Sequence, residues 1–301
     1  MINEVAIDPE VLLEWSKDRG KSKEFLNNYG LGTRRIVSSF PKNKPSKLIS
    51  FLMRKVDSLD DENHKHRYGI MIESLRECLY LRESKVNSNK DWYELIQNEV
   101  IPFDTVIARK NFDCENILTL EDLSESDFLY LDHQISFNRT QKDFIKSIRG
   151  LVNLTTSKIV VVDAYAWKPN SIKVIKSIID EVNNRRFKSQ QVEFTVIYKE
   201  INYGSPAPNA SFFKSEIEKE FDSFPTDIDL KVIQLKESDE SDTFHNRYIM
   251  NNFGGVSLGH GLDIADKEHT TDEITMLSKN TYTKRWNQFV KNLDFQIVDL
   301  A

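Results

Sequence analysis

From residue 158 to residue 235, runs of strand-forming residues alternate with helix-length segments, and this constrains the fold more than any other feature. KIVVVDAYAW (158–167) reads as a buried strand that ends in polar and aromatic residues. Ser171 to Asn184 follows with Ile172, Ile175, Ile178, Ile179 and Val182 on one helical side. VEFTVIYKE (192–200) is the next strand, Asn209 to Phe221 the next helix and LKVIQL (230–235) the next strand. Strands that alternate with amphipathic helices predict a sheet covered by helices on both faces.

The pattern extends in both directions. TQKDFIKSIRGLVNL (140–154) predicts a helix ahead of the first strand. FHNRYIM (244–250) and GVSLG (255–259) predict two further strands, residues 281–292 a last helix, and FQIVDL a closing strand. A boundary near residue 134 separates this α/β region, 135–301, from a region 1–134 that reads as mainly helical. IDPEVLLEW opens a helix with an Asp-Pro pair, which suits a first turn. Ser58 to Glu83 carries Ile72, Leu75 and Leu79 as one apolar stripe, and Asp91 to Val100 predicts another helix. SKVNSNKD (84–91) and the acidic LEDLSESD read as loops, and FDTVIARK as a strand.

With 301 residues and 39% hydrophobic content, the chain can build two ordinary cores. The net charge of −6 excludes a broadly basic nucleic-acid binder but not a local basic face. Such a face is available. Arg34, Arg35, Lys42, Lys44, Lys47, Arg54 and Lys55 fall in the stretch 31–56 with no acid among them. They form either a nucleic-acid or acidic-partner surface, or a solvated helical face whose counter-charges come from elsewhere in the fold. Two cysteines, Cys78 and Cys114, make neither a disulfide framework nor a metal quartet. The N-terminus lacks the basic and apolar regions of a signal peptide, and no apolar run approaches bilayer length. These features predict a cytoplasmic protein without membrane insertion. His64 and His66, two apart, would not share a helix face, and His269 falls in the loop-like KEHTTDE.

Chemistry, if any, centres on FHNRYIMNNFGGVSLGHGLD, Phe244 to Asp263. On a strand, His245 and Arg247 point to the same face. Gly254, Gly255, Gly259 and Gly261 follow, four of the ten glycines within eight positions. Cationic side chains beside glycine-rich backbone suit a phosphate. His245 could attack phosphorus or move a proton, with Arg247 stabilising phosphoryl charge. The structural alternative is a packed His245 with Arg247 paired to Asp263.

The segment resembles the histidine motif of phospholipase D-like proteins, especially bacterial members with His-Asp-Arg-Tyr followed by Gly-Gly and Gly-x-Gly-Leu-Asp. The C-terminal domain of some microtubule-interacting-and-trafficking proteins carries a similar signature. His245, Arg247, Tyr248, Gly255, Gly259, Gly261, Leu262 and Asp263 match. ISFNRT (135–140) resembles the Val-x-Arg-Thr of the bacterial members, which implies that Arg139 faces the site. VVVDAYAW resembles their Asp-Pro-Tyr strand end, which puts Asp163 and Tyr165 at the carboxyl edge of the sheet, where open α/β sheets bind ligands. The resemblance covers about residues 135 to 301. It implies a phospholipase D-like mixed sheet flanked by helices, preceded by the helical region. Catalysis would rest on His245, Arg247 and Asp163, with phosphate bound by Arg139, Tyr165, Gly255, Gly259 and Gly261. Lys42, Lys44 and Lys47, with Arg34 and Arg35, would meet a DNA or RNA partner, and no cofactor is implied.

The departures are specific. Catalytic members carry His-x-Lys-x4-Asp twice, whereas here Arg247 stands at the lysine, Asn252 at the aspartate, and no second copy exists. The downstream Gly-Ser-x-Asn reads Gly259-His260-Gly261-Leu262. The family mechanism uses two histidines, so this chain would need a homodimer, or His260 or His133 as the partner. Three functions stay open: a phosphodiesterase, in particular a nuclease of the defence-associated type found near anti-phage genes; a non-catalytic phosphate- or protein-binding module; and a subunit of a multi-protein complex that docks through its helical half.

Overall fold

The computed structural model describes residues 2–82, 91–126, 133–188, 190–202, 204–237, 244, 246–264 and 269–301. It divides into two compact units, Ile2–Asp132 and His133–Ala301 together with Met1.

The N-terminal unit contains six helices among the described residues: α1 (Pro9–Lys17), α2 (Arg19–Asn28), α3 (Pro45–Met53), α4 (Glu62–Leu75), α5 (Trp92–Gln97) and α6 (Leu120–Glu125). Asp8 caps α1 by accepting from Glu10 N at 2.9 Å, with Pro9 in the first turn. The stripe Ile72, Leu75 and Leu79 is buried in the unit's core with Trp15, Phe25 and Tyr68, so it is not a docking face. The helix expected over 58–83 is shorter, because a 3₁₀ turn at Val56–Ser58 precedes Asp61, which caps α4. The loop expected at LEDLSESD is α6 instead, nucleated by a capping box between Thr119 and Asp122. The loop expected over 84–91 lies outside the described residues except at Asp91, the N-cap of α5.

Alongside the helices runs a parallel sheet in the order β2 (Arg35–Val37), β1 (Asn3–Ile7), β3 (Thr105–Ala108), β4 (Ile117–Thr119). Only β3 shows in the sequence. β1 and β2 are short and almost wholly buried, so neither displays the alternation that marks a one-sided strand.

The C-terminal unit is one mixed sheet of eight strands flanked by helices. In chain order these are β5 (Gln134–Asn138), α7 (Gln141–Asn153), β6 (Lys158–Val162), α8 (Pro169–Asn183), β7 (Val192–Lys199), α9 (Ala210–Lys219), β8 (Ile228–Lys236), β9 (Tyr248–Asn251), β10 (Gly255–Leu258), β11 (Thr271–Met276), α10 (Lys279–Trp286) and β12 (Gln296–Leu300), with a π turn at Asn287–Lys291. The sheet order is β12-β8-β7-β6-β9-β10-β11-β5. β6, β7 and β8 are parallel and joined through α8 and α9, as the alternation predicts. α7 packs on α8, and α8 on α9. β9, β10, β11 and β5 extend the sheet as antiparallel neighbours.

Candidate functional site

Register alone assembles one edge of this sheet. Val162 pairs with Tyr248, so the residue after β6, Asp163, meets the residue before β9, Arg247. Tyr248 pairs with Ser257, and Leu258 N donates to Arg247 O at 3.0 Å. Gly259 then follows β10, and its N–H donates to Glu273 O at 3.3 Å, which sets it beside Asp272 of β11. Thr271 pairs with Asn138, and Arg139 N donates to Thr270 O at 2.8 Å. Five adjacent strand ends thus carry Asp163, Arg247, Gly259 with His260, Asp272 and Arg139.

Asp163 organises the edge. Its side chain is buried, and it accepts from Tyr165 N at 2.9 Å through Oδ1 and from Leu262 N at 2.8 Å through Oδ2. Burial pushes its carboxyl above the usual range, against those two hydrogen bonds and the nearby Arg247 and Lys168. The carboxylate therefore ties the turn after β10 back onto the end of β6. Gly261 makes that turn possible. Its φ is +75°, and a β-carbon there would lie 2.3 Å from both Arg247 Cδ and Asp163 Oδ2.

Arg247 lies across this anchor. Its Nε is 3.6 Å from Asp163 Oδ1, and Nη1 donates to Gly259 O at 3.1 Å. Nε is buried without a hydrogen-bond partner among the described residues, and so is Nε of Arg139. Arg139 Nη2 donates to the backbone oxygen of Asp263, whose carboxylate accepts from Asn170 Nδ2 at 3.4 Å. The pairing expected as the structural alternative, Arg247 with Asp263, is replaced by Arg247 with Asp163. Arg247 does not begin a strand: β9 starts at Tyr248, and Arg247 sits in irregular backbone. His245 itself lies outside the described residues.

Next to Arg247, His260 is held by a buried carboxylate. Its Nδ1 is 3.0 Å from Asp272 Oδ1, and its N–H donates to Asp272 Oδ2 at 3.2 Å. The imidazole is 65% exposed and the Asp272 side chain 6%. The sequence names His260 only as one possible partner and misses Asp272, because KEHTTDE reads as a loop. The signal was present. TDEITM alternates, and Asp272, Ile274 and Met276 are its buried positions.

Tyr165 stays at this edge through its N–H on Asp163, whereas other expected residues fall elsewhere. Tyr165 is exposed under the Lys168 ammonium, 4.8 Å from its ring centre. Gly255 is not at the site. It pairs with Met250, further along β9, and a β-carbon there would lie 2.6 Å from Met250 Cγ, so packing explains the glycine. Asn252, at the far end of β9, accepts from Thr156 Oγ1, Ser157 N and Lys158 N at 3.1–3.2 Å and shapes the turn into β6. It is a structural residue with no place at the Arg247 edge. His133 precedes β5, six residues from Arg139 and roughly 20 Å away along an extended strand, which removes it as a partner. His269 is exposed, as expected. His64 Nε2 lies 3.1 Å from Leu13 O against α1, and no group of three or more His, Cys, Asp or Glu among the described residues is placed to hold a metal.

The basic run of the N-terminal unit separates into two sets. Arg34 and Arg35 are 7% and 4% exposed, and the Arg35 guanidinium lies 5.6 Å from the Tyr29 ring centre. Burial also lowers the Arg35 pKa. Buried in this way, neither can contact a nucleic acid, which corrects the expectation for these two. Lys42, Lys47 and Arg54 instead line an open hollow of about 610 Å³ with Phe51, and Lys44 is exposed at the N-cap of α3.

No protein-family model matches the chain, and no curated protein matches it at significant similarity. Among solved structures, the chain is similar to NucT from Helicobacter pylori, with 11% identity and a TM-score of 0.33 over 54% of this chain and 95% of that one. It is also similar to Nuc, a phospholipase D family member from Salmonella typhimurium, with 8% identity and a TM-score of 0.32 over 55% and 97%. A third, TrmBL2, described as an archaeal chromatin protein with a novel mode of DNA binding, shares 10% identity at a TM-score of 0.30 over 59% and 61%. No helix among the described residues is long and apolar enough to cross a membrane.

Proposed function

We propose that residues 135–301 form a phospholipase D-like phosphodiesterase domain acting on nucleic acid, with residues 1–134 as an accessory region. The observation that carries this reading is Arg247. It is fixed at the carboxyl end of β6 by Asp163 and Gly259 O, and its side chain remains 26% exposed there. A guanidinium fixed in place, beside a turn of left-handed glycine backbone, suits a phosphoryl oxygen. His245, two residues earlier in the motif, is the nucleophile. Its imidazole nitrogen bonds to phosphorus, and the P–O bond to the leaving oxygen breaks. Water then attacks phosphorus, the N–P bond breaks, and a phosphomonoester leaves. Neither step requires a metal. The resemblance to bacterial defence-associated members extends the proposal to an anti-phage effector, which predicts phage restriction that depends on His245.

A second reading rests on Arg247 being partly occupied. Asp163 offsets its charge and Gly259 O takes one donor, so the domain could hold a phosphate without turning it over. Purified protein and His245→Ala, tested on single- and double-stranded DNA, RNA and a nitrophenyl phosphodiester with and without EDTA, separate the two. Chelator-resistant cleavage lost in the variant is expected. No cleavage by clean wild-type protein would leave the recognition module as the reading.

A further inference from the structure

A phosphodiester whose leaving group is a sugar alkoxide needs a proton delivered as the P–O bond breaks, because a free alkoxide is a very poor leaving group. The motif supplies one histidine, and that histidine is consumed as the nucleophile. We propose that His260, held by Asp272, is the general acid and later the general base of this site. The inference rests on the phosphodiesterase reading above.

Three observations carry it. The first is the dyad. Asp272 is buried and ionisable, and its Oδ1 accepts from the imidazole at 3.0 Å while the other carboxylate oxygen accepts the backbone N–H of the same residue. A carboxylate can only accept, so Nδ1 carries the hydrogen, and Nε2 is the nitrogen turned outward. An imidazole fixed at both backbone and ring loses little freedom when it engages a substrate.

The second is position. The single peptide unit joining Gly259 to His260 receives Arg247 Nη1 on its carbonyl and gives its N–H to Asp272. With planar peptide geometry, the His260 Cα is within about 6 Å of Arg247 Nη1. A phosphoryl group on Arg247 is therefore within reach of the imidazole.

The third is that Gly259 is dictated by the dyad. A β-carbon there would lie 2.6 Å from Asp272 Oδ1, so the residue must be glycine for the carboxylate to occupy its place. His269, exposed a few residues away, shows no carboxylate partner among the described residues and serves as a control.

In the first step, His260 Nε2–H gives its proton to the leaving oxygen as the P–O bond breaks and the N–P bond to His245 forms. In the second, neutral His260 takes a proton from water as the water oxygen bonds to phosphorus and the N–P bond breaks. Both histidines return to their starting states. Asp272 touches no substrate atom and is a positioning residue.

Leaving-group dependence tests the assignment. Nitrophenolate departs without a proton, whereas a sugar alkoxide does not. First-turnover cleavage of a DNA oligonucleotide and of a nitrophenyl ester of thymidine phosphate is measured for wild type, His260→Gln, Asp272→Asn and His269→Ala. His260→Gln is expected to slow DNA cleavage by at least about 100-fold, with a loss on the nitrophenyl ester at least tenfold smaller. Asp272→Asn should show the same split to a lesser degree, which a general loss of structure would not produce, and His269→Ala should match wild type. His260 is exposed, so His260→Gln is read on folded protein. Equal losses on both substrates, or none, overturn this assignment while the phosphodiesterase stands, and point to the second histidine of a homodimer. A wild type inactive on both substrates removes the phosphodiesterase reading, and this one with it.

Discussion

At Gly261 two demands meet in one residue. The backbone must take a positive φ, and the space a side chain would fill is already held by Arg247 and Asp163. Alanine in left-handed backbone costs about 1–2 kcal/mol on conformational grounds. The contacts at 2.3 Å add to this, because one of them is with a carboxylate that is buried and hydrogen-bonded on both oxygens. Gly261→Ala is therefore expected to lower stability by roughly 2–3 kcal/mol. It should also displace Arg247, and with it weaken binding of inorganic phosphate or tungstate. Urea unfolding and isothermal titration measure the two effects. Full stability together with full anion affinity would mean that the turn does not position Arg247.

Among the strands and helices, what the sequence made legible follows from how each element buries its surface. β6, β7 and β8 announce themselves because central parallel strands are apolar throughout, and α7 and α8 because one helical face is apolar. Within the candidate site, Asp163, Arg139 and Arg247 could be named because each sits in a motif at a strand end. β1 and β2 could not be seen, since three to five buried residues have no period. Asp272 was hidden by its context, a threonine-rich stretch whose polar residues resemble a loop until the pairing of β11 with β5 is known.

The same sheet holds a pH-sensitive element. Glu193 of β7 stands between Lys158 of β6 and Lys231 of β8, with Lys158 Nζ at 2.6 Å. Burial raises its carboxyl, but hydrogen bonds from both lysines outweigh that and bring it down to about 2. In the unfolded chain a glutamate titrates near about 4.3. The folded state thus binds this proton less readily than the unfolded one. The stabilisation is complete above about pH 4.5 and is lost as the pH falls toward 2. Glu193→Gln is expected to be less stable than wild type at neutral pH, by no more than about 1 kcal/mol for so accessible a group. The difference should close as the pH approaches 2, as followed by urea unfolding across pH 2–7. A gap that stays constant with pH would show that the ladder's worth lies in packing rather than charge.

At the scale of the whole molecule, a net charge of −6 makes contact with a polyanion unfavourable unless cations are gathered in one place. Two of the five basic residues expected to do this, Arg34 and Arg35, are spent inside the N-terminal unit. The remaining three, Lys42, Lys44 and Lys47, belong to the hollow with Arg54 and to the start of α3, where the first-turn backbone N–H groups also favour an anion. Lys42 packs its ammonium 4.9 Å from the Phe51 ring centre, which offers a stacking surface beside the charge. If this is the nucleic-acid face, replacing all three lysines by glutamine leaves up to three phosphates without a neutralising cation. The slope of log affinity against log salt should then become shallower by about 2–3, at roughly 0.7–0.9 for each such phosphate. Because Lys44 and Lys47 are exposed and Lys42 is half-buried in an open hollow, unfolding stability should fall by no more than about 1 kcal/mol. Fluorescence anisotropy with a labelled oligonucleotide at several salt concentrations reads the slope directly. An unchanged slope would assign the hollow to a different acidic partner and leave the Arg247 edge to hold the nucleic acid by itself.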